Sequence, residues 1–430
     1  MSETLTDQES IAYIGAAAFE EQVLNGGTVI VDWYSSECPP CEALAMKFEP
    51  LSELYGADVK FIKIFRQENR ALSDELGVKS SPTVQFYRDG VETAPRLTGG
   101  VKRSELVAGL ETLLTPERAS EIRRQAVPLE SDWDVIVLGG GPAGLTSAIY
   151  AAQAKMHVVV VDVALPGGQV KTTHSVSNYP GFAKPMNGYL LAHEMHMQAE
   201  AQGVQFRSAA DVSDIDLLNK KVVVDGIETL HARKVILATG ASPRALGVSG
   251  EKEYAGRGIS YCATCDAKYY EGKEVIVIGG GNSAVEESLF ITKFASKLTM
   301  VHQMAELTAN KAAVAHAKAD PKIAVRYLVE PRAFLRLENG RMGVEIEDLQ
   351  TGERSTLEAD GIFVFVGMVP NTTGFGEALL KDAWGYIKTD ENMQTSLGDV
   401  YAVGDLRSKR IRQLTTAVGD GTIAAVVISQ

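Results

Sequence analysis

The chain has four cysteines, and all of them fall in two Cys-x-x-Cys pairs, Cys38-Pro39-Pro40-Cys41 and Cys262-Ala263-Thr264-Cys265. Such a pair can close and reopen a disulfide, or it can hold a metal. A structural zinc needs further ligands, and no cysteine or paired histidine is spare beside either motif. His193 and His196 share one helical face and read as ordinary polar-face residues. No metal is therefore expected. With every thiol in a pair, the simplest chemistry is an electron relay, one pair being oxidised as the other is reduced.

Two glycine turns could hold nucleotides. Gly139-Gly140-Gly141-Pro142-Ala143-Gly144 fits G-x-G-x-x-G; it follows a strand pattern at Trp133 to Leu138 and opens a helix at Ala143 to Ala154. Glycines there let backbone N–H groups approach a pyrophosphate at the positive end of the helix. Asp162 ends the next strand, His157 to Val161, where it can accept from a ribose hydroxyl. Gly279-Gly280-Gly281-Asn282-Ser283-Ala284 fits G-x-G-x-x-A between a strand at Glu274 to Ile278 and a helix through Phe294. A further strand is expected at Leu298 to His302. The repeated βαβ pattern predicts two dinucleotides, FAD and a nicotinamide.

The first cysteine pair needs its own scaffold. Thr28 to Tyr34 reads as a buried strand, Glu42 to Leu54 as a helix, Val59 to Phe65 as a strand and Arg70 to Leu76 as a short helix. Strands at Thr83 to Tyr87 and near Glu92 to Leu97 and a helix at Ser104 to Leu114 close a small α/β unit. Residues 115–131 are polar with prolines near both ends and read as a linker with a helical turn around Glu117 to Arg124.

At 430 residues, more than one domain is expected. The net charge of −13 argues against nucleic acid and anionic membranes as partners. The segment Met1 to Asp7 has neither a basic nor an apolar region, so no signal peptide is expected, and no apolar run reaches membrane-spanning length. The expectation is a cytoplasmic protein.

Residues 26–114 resemble thioredoxin, through the buried strand, the dithiol at a helix N-terminus and Ser81-Pro82-Thr83, which matches that family's cis-proline segment. The resemblance makes Cys38 the attacking thiolate, Asp32 the buried carboxylate that takes the proton of Cys41, and Lys63 its lysine partner. Two positions depart from the pattern: the motif is Cys-Pro-Pro-Cys, and Glu37 replaces a tryptophan. Residues 132–430 resemble the low-molecular-weight thioredoxin reductases. They do so through Gly167-Gly168-Gln169, Asn178-Tyr179-Pro180-Gly181, Ala238-Thr239-Gly240-Ala241, Cys262 to Asp266, Val369-Pro370-Asn371-Thr372, Gly404-Asp405 and Arg412-Gln413. That resemblance implies that Gly404, Asp405, Arg412 and Gln413 hold the flavin and its ribityl chain. It implies that FAD passes electrons to Cys265, that Cys262 attacks the thioredoxin disulfide, and that Asp266 is the acid–base group. It further implies a homodimer and rotation of the nicotinamide domain against the FAD domain.

The expected fold class is α/β, a thioredoxin fold followed by a two-domain FAD/NAD(P)-binding Rossmann-like disulfide reductase. The boundaries are 1–114 for the thioredoxin-like domain, 115–131 for the linker, 132–243 with 369–430 for the FAD domain, and 244–368 for the nucleotide domain carrying the dithiol. Relatives that use NADPH grip its 2′-phosphate with a His-Arg-Arg motif and a further arginine. Here the stretch is His302-Gln303-Met304-Ala305-Glu306-Leu307-Thr308, without arginine. Losing two or three charge-assisted bonds, each about 1.5–3 kcal/mol, disfavours NADPH by about 10²–10³-fold. NADH is favoured, and the segment Met304 to Asn310 is similar to the NADH-using flavoprotein subunit of alkyl hydroperoxide reductase. A ferredoxin-fed reductase is the alternative donor reading. The leading function is a fused thioredoxin–thioredoxin reductase serving client disulfide proteins. A peroxiredoxin reductase and a redox-sensing module without turnover are the competing readings.

Overall fold

The computed structural model of this chain describes residues 10–172, 176 and 178–430, without the side chains of Thr172, Thr264 and Cys265.

The N-terminal domain is built on β2 (Thr28–Tyr34), buried from Val29 to Trp33. A strand covered on both faces reads as a continuous apolar run, and this one lies centrally, parallel to β3 (Lys60–Phe65) and antiparallel to β4 (Thr83–Arg88). β1 (Ile11–Ile14) pairs parallel with the outer side of β3, ahead of the first strand expected from sequence. Its four residues carry too little periodicity to be read in advance. β5 (Val91–Glu92) and β6 (Leu97–Thr98) both pair with β4, two short pieces where one strand was expected. α1 (Pro39–Tyr55) lays Leu44, Phe48, Leu51 and Tyr55 on one side of the sheet, together with Leu106 and Leu110 of α3 (Arg103–Glu111). α2 (Arg70–Glu75) lies between β3 and β4.

The segment expected to be a linker is largely a helix, α4 (Pro116–Gln125). Thr115 caps it, accepting from Arg118 N, and Pro116 fits the first turn. Ile122 is buried in the core of the N-terminal domain. Arg118 forks onto both oxygens of Asp58 at 2.9 and 2.8 Å, and Arg123 pairs with Glu111 at 2.7 Å. Only residues 126–128 separate this helix from the next strand.

The FAD-type sheet runs β10 (Val212–Asp216), β11 (Lys221–Val224), β12 (Glu228–Leu237), β7 (Leu129–Leu138), β8 (Val158–Val161) and β9 (Gln205–Arg207), with β23 (Val400–Ala402) also against β12. α5 (Pro142–Gln153) follows β7 and packs under α11 (Leu414–Ile428), while α6 (Gly188–Ala201) precedes β9. Gly421 allows the α5–α11 approach, because a Cβ there would lie 2.4 Å from Ala143 O.

The chain leaves this domain through β13 (Ala241–Pro243) and returns through β22 (Met368–Pro370), which pair antiparallel. Between them come α7 (Glu251–Tyr254) and a parallel sheet. Its order is β14 (Ile259–Ser260), β21 (Gly361–Val364), β15 (Glu274–Ile278), β16 (Lys297–His302) and β17 (Ile323–Tyr327). α8 (Ala263–Asp266), α9 (Asn282–Ile291) and α10 (Lys311–Ala319) flank it, and β18 (Val329–Arg336), β19 (Met342–Asp348) and β20 (Arg354–Ala359) form an antiparallel meander.

Candidate functional site

Cys38 is the N-cap of α1 and is disulfide-bonded to Cys41. Cys41 is buried in the first turn, whereas Cys38 is only partly covered, so Cys38 is the sulfur open to attack. The positive end of a 17-residue helix favours a thiolate there. Cys38 Sγ stands 3.6 Å from the carbonyl of Ser81, which precedes Pro82 through a cis peptide bond. Ser81 Oγ accepts from Ser35 Oγ at 2.6 Å, a tie between the two loops that the sequence did not announce.

Asp32 sits on β2 in register with Lys63 of β3. It is fully buried, and neither carboxylate oxygen has a hydrogen-bond partner among the described residues. Burial pushes its pKa up to about 7, against the opposing pull of Lys63. Lys63 also faces Glu49 at 3.8 Å and the Phe48 ring at 5.7 Å.

Cys262 is the N-cap of α8 and is disulfide-bonded. The Cys265 side chain lies outside the described residues. Ser260, buried and not singled out by its sequence, organises this turn. Its hydroxyl bonds Asp266 Oδ2 at 2.6 Å and accepts from Cys262 N at 3.2 Å.

The first glycine turn closes against β12, where a Cβ on Gly139 (φ 105°) would lie 2.5 Å from Ala238 O. Gly141 is the N-cap of α5 without a side-chain cap, Pro142 follows, and a Cβ on Gly141 would meet only Gly168 Cα, at 3.7 Å. Ala143 and Gly144 are buried beneath the turn. Asp162 accepts from Gly140 N at 2.7 Å and Ala164 N at 2.8 Å; burial raises its pKa. Gly168 and Gln169 begin a short turn, Gly168–Thr172, facing Gly141.

The opposite wall comes from the C-terminal segment. Gly404 N donates to Asp420 at 3.1 Å, and Asp420 is held by Arg407 at 2.8 Å and Lys409 at 2.9 Å. Asp420 was not foreseen, since it lies sixteen residues beyond the motif that it braces. Asp405 Oδ1 is buried and makes no hydrogen bond among the described residues; Lys409 Nζ stands 3.6 Å away, and burial raises the Asp405 pKa. Arg412 stacks on Tyr386 at 3.8 Å, and Asn178 reaches Gln413 at 3.5 Å. Thr239 donates to Asn371 O at 2.7 Å, and Asn371 Nδ2 returns a bond to Thr239 O at 2.8 Å, beside Gly240 at φ 68°. A buried carboxylate oxygen without a hydrogen bond, an uncapped helix N-terminus and an open Gly141 fit a flavin dinucleotide, whose hydroxyl and phosphate groups would supply the missing partners.

The second glycine turn repeats the geometry. A Cβ on Gly279 would lie 2.3 Å from Phe365 O, Gly281 is the uncapped N-cap of α9, and Ala284 is buried. Asn282 and Ser283 line a cavity of about 580 Å³ that Arg244, Tyr386, Lys409 and Arg412 close from the other side. At the end of β16, His302 lies 2.5 Å from where a Gly280 Cβ would be, and its Nε2 bonds Glu306 O at 3.0 Å. Burial lowers the His302 pKa, keeping the ring neutral.

A further expectation, at His196, is overturned. His196 is 7% exposed, stacks edge-to-face on Phe206 at 4.3 Å and faces Glu200 at 3.4 Å. It is a core residue of the α6–β9 contact, not a polar-face one; helical spacing alone did not show that β9 covers that face.

The family model described as pyridine nucleotide-disulphide oxidoreductase matches residues 133–421, and the thioredoxin family matches residues 10–112. The chain is 40% identical over 297 residues to the thioredoxin reductase of Bacillus subtilis, spanning 69% of this chain and 93% of that protein. It is 41% identical over 301 residues to that of Treponema pallidum, spanning 69% and 96%. The crystal structure of thioredoxin reductase from Streptococcus pyogenes superposes with a TM-score of 0.61 at 37% identity, covering 69% of this chain and 97% of that one.

Proposed function

Because the chain belongs to the pyridine nucleotide-disulphide oxidoreductase family, as a thioredoxin reductase-type flavoprotein with a thioredoxin domain in front, we propose that it relays electrons between its own two dithiols. Electrons pass from NADH through FAD to Cys262/Cys265, then to Cys38/Cys41, then to client disulfides. The observation that carries this reading is that each dithiol sits at a helix N-terminus in a domain with its own carboxylate placed to handle a proton, Asp32 being fully buried and Asp266 half-buried. Asp32 lies on the strand leading to Cys38, and Asp266 is oriented by Ser260 beside Cys262.

When bound, FAD supplies the step from hydride to thiol chemistry. The chain's residues do the rest. Cys262 thiolate attacks Cys38, the less covered sulfur; the Cys38–Cys41 bond breaks, and Cys41 leaves as a thiolate that takes a proton from Asp32. Cys265 thiolate then attacks Cys262, reforming that disulfide and releasing Cys38 as a thiolate. Asp266 handles the proton of Cys262. The reduced Cys38 next attacks a client disulfide, and Asp32 removes the proton of Cys41 for the resolving attack.

The donor reading rests on the loop after β16. A neutral His302 and Glu306 stand where a 2′-phosphate would need cations, and Glu306 suits a free ribose hydroxyl. Anaerobic stopped-flow mixing of the oxidised protein with NADH, NADPH or reduced ferredoxin tests it. Rapid flavin bleaching by NADH alone is expected; bleaching by ferredoxin and neither nucleotide would overturn it. The relay is tested by Cys38→Ser, which should abolish client reduction while leaving reduction of the flavin intact. Insulin compared with a peroxiredoxin as acceptor separates a general reductase from a peroxidase partner. A homodimer is part of the proposal, supported by the exposed Tyr189, Leu190 and Met197 of α6 beside Phe182. Among the described residues no helix is long and apolar enough to cross a membrane.

A further inference from the structure

The thioredoxin domain is seated on the FAD domain by one buried cation. Lys47 of α1 is 7% exposed, and its ammonium donates to Val101 O at 3.0 Å, to Ser208 O at 2.7 Å and to Ala209 O at 3.1 Å. The first carbonyl belongs to its own domain and the other two to the segment after β9. Lys47 therefore stitches the two domains with all three of its protons. Around it, Asp211 accepts from Ser104 N at 3.1 Å and pairs with Lys102 at 3.3 Å. A Cβ on Gly100 would lie 3.2 Å from Leu165 and 3.4 Å from Ala209, so the backbones meet closely here. Glu42, one position past the dithiol, stands within electrostatic range of His196 on α6. Among the described residues, every group named in this seat belongs to the thioredoxin or the FAD domain, and none to the domain carrying Cys262.

A buried ammonium is stable only while its partners stay in place, because an unpaired buried charge is strongly unfavourable. Burial lowers the Lys47 pKa, with Asp225 and Asp211 opposing, so the seat holds a desolvated charge rather than a loose surface pair. We propose that Lys47 latches the thioredoxin domain in a parked pose on the FAD domain, and that Cys38–Cys41 meets the Cys262 dithiol only after this latch opens. The proposal rests on the relay reading above. It assigns Lys47 a positioning role: the residue lies along α1 from the cysteines and sets how often they are free to travel.

Small-angle X-ray scattering on the oxidised full chain reads the docking, and anaerobic single-turnover reduction of Cys38/Cys41 reads the relay. The wild-type protein should scatter as the docked structure. Lys47→Met should lower the docked-to-free ratio at least tenfold, about 1.4 kcal/mol, with a larger radius of gyration and a severalfold faster reduction of Cys38/Cys41. Asp211→Asn, which loosens Lys102 and Ser104 while keeping Lys47, should move both readouts the same way by less, and it stands in if Lys47→Met does not fold. A Lys47→Met protein as compact as wild type overturns the latch. A protein that detaches but reduces Cys38/Cys41 more slowly shows the pose to be productive and overturns the parking. If wild type and variants alike fail to reduce Cys38/Cys41, the relay reading falls, and with it the second half of the proposal, while the scattering still decides the first.

Discussion

Asp32→Asn should stabilise the thioredoxin domain, and by an amount that depends on pH. Burial raises the Asp32 pKa from 3.8 to about 7. Between those values the unfolded chain has released this proton while the folded chain has kept it. Folding therefore takes up a proton, and stability falls as pH rises from about 4 to about 7, then levels off. Moving a carboxyl from 3.8 to about 7 corresponds to roughly 4 kcal/mol, at about 1.36 kcal/mol per pKa unit. Asparagine does not ionise, so it avoids that loss. Its own unpaired amide adds an offset, but one without pH dependence. The advantage of the variant should thus grow by roughly 4 kcal/mol between pH 4 and pH 8, moving the urea midpoint of this domain by more than about 1 M. The assay is urea unfolding followed by Trp33 fluorescence in a Trp133→Phe, Trp384→Phe background, which leaves the single tryptophan of the thioredoxin domain, buried and bonded to Gln85 at 2.6 Å. A difference between variant and parent that is flat from pH 4 to pH 8, or that shrinks as pH rises, would refute the reasoning.

Ser260→Ala removes the hydroxyl that holds Asp266 and accepts from Cys262 N; at about 0.5–1.5 kcal/mol per bond, the rate of thioredoxin-disulfide reduction should drop about tenfold, with flavin reduction unchanged in the stopped-flow trace. Glu306→Arg puts a cation on the loop whose backbone carbonyl bonds His302, and kcat/KM for NADPH should rise about 10–10²-fold from one charge-assisted bond; an unchanged NADPH/NADH ratio would show that this loop does not meet the ribose. Gly141→Val fills the open space at the α5 N-terminus, so the purified protein should keep its circular dichroism and lose its visible flavin absorbance.

The parts legible in sequence were those fixed by local chemistry. A glycine turn between a strand and a helix shows itself because backbone reaching a phosphate admits no Cβ. Gly139 and Gly279 both prove to sit against a carbonyl of a neighbouring segment. The buried β2 was legible because strands covered on both faces are apolar throughout. What stayed hidden depends on partners that no local pattern names, whether six residues away or more than a hundred. Ser260, Asp420 and Lys47 are ordinary polar residues until the fold brings Asp266, Gly404 and Ser208 to them. His196 looked solvent-facing because an α6 helical wheel cannot display β9. Of helix α4 the sequence showed a helical turn around Glu117 to Arg124 but not its docking: its polar composition reads as a connector, and its burial rests on Ala119 and Ile122 alone.

That helix changes how the domain is tethered. With α4 pinned to the thioredoxin core by Ile122 and the Arg118–Asp58 fork, the connector shrinks to Ala126, Val127 and Pro128. Three residues span at most about 10 Å even when fully extended, and proline restricts both itself and its predecessor. The domain is thus less a ball on a string than a door on a hinge, with α4 as its rigid leaf, about 15 Å long for ten residues. The local concentration of Cys38 around any target is then governed by swing angle, not by chain length. Adding residues at Val127 would therefore do more than dilute the encounter: it would change which surfaces the dithiol can sweep.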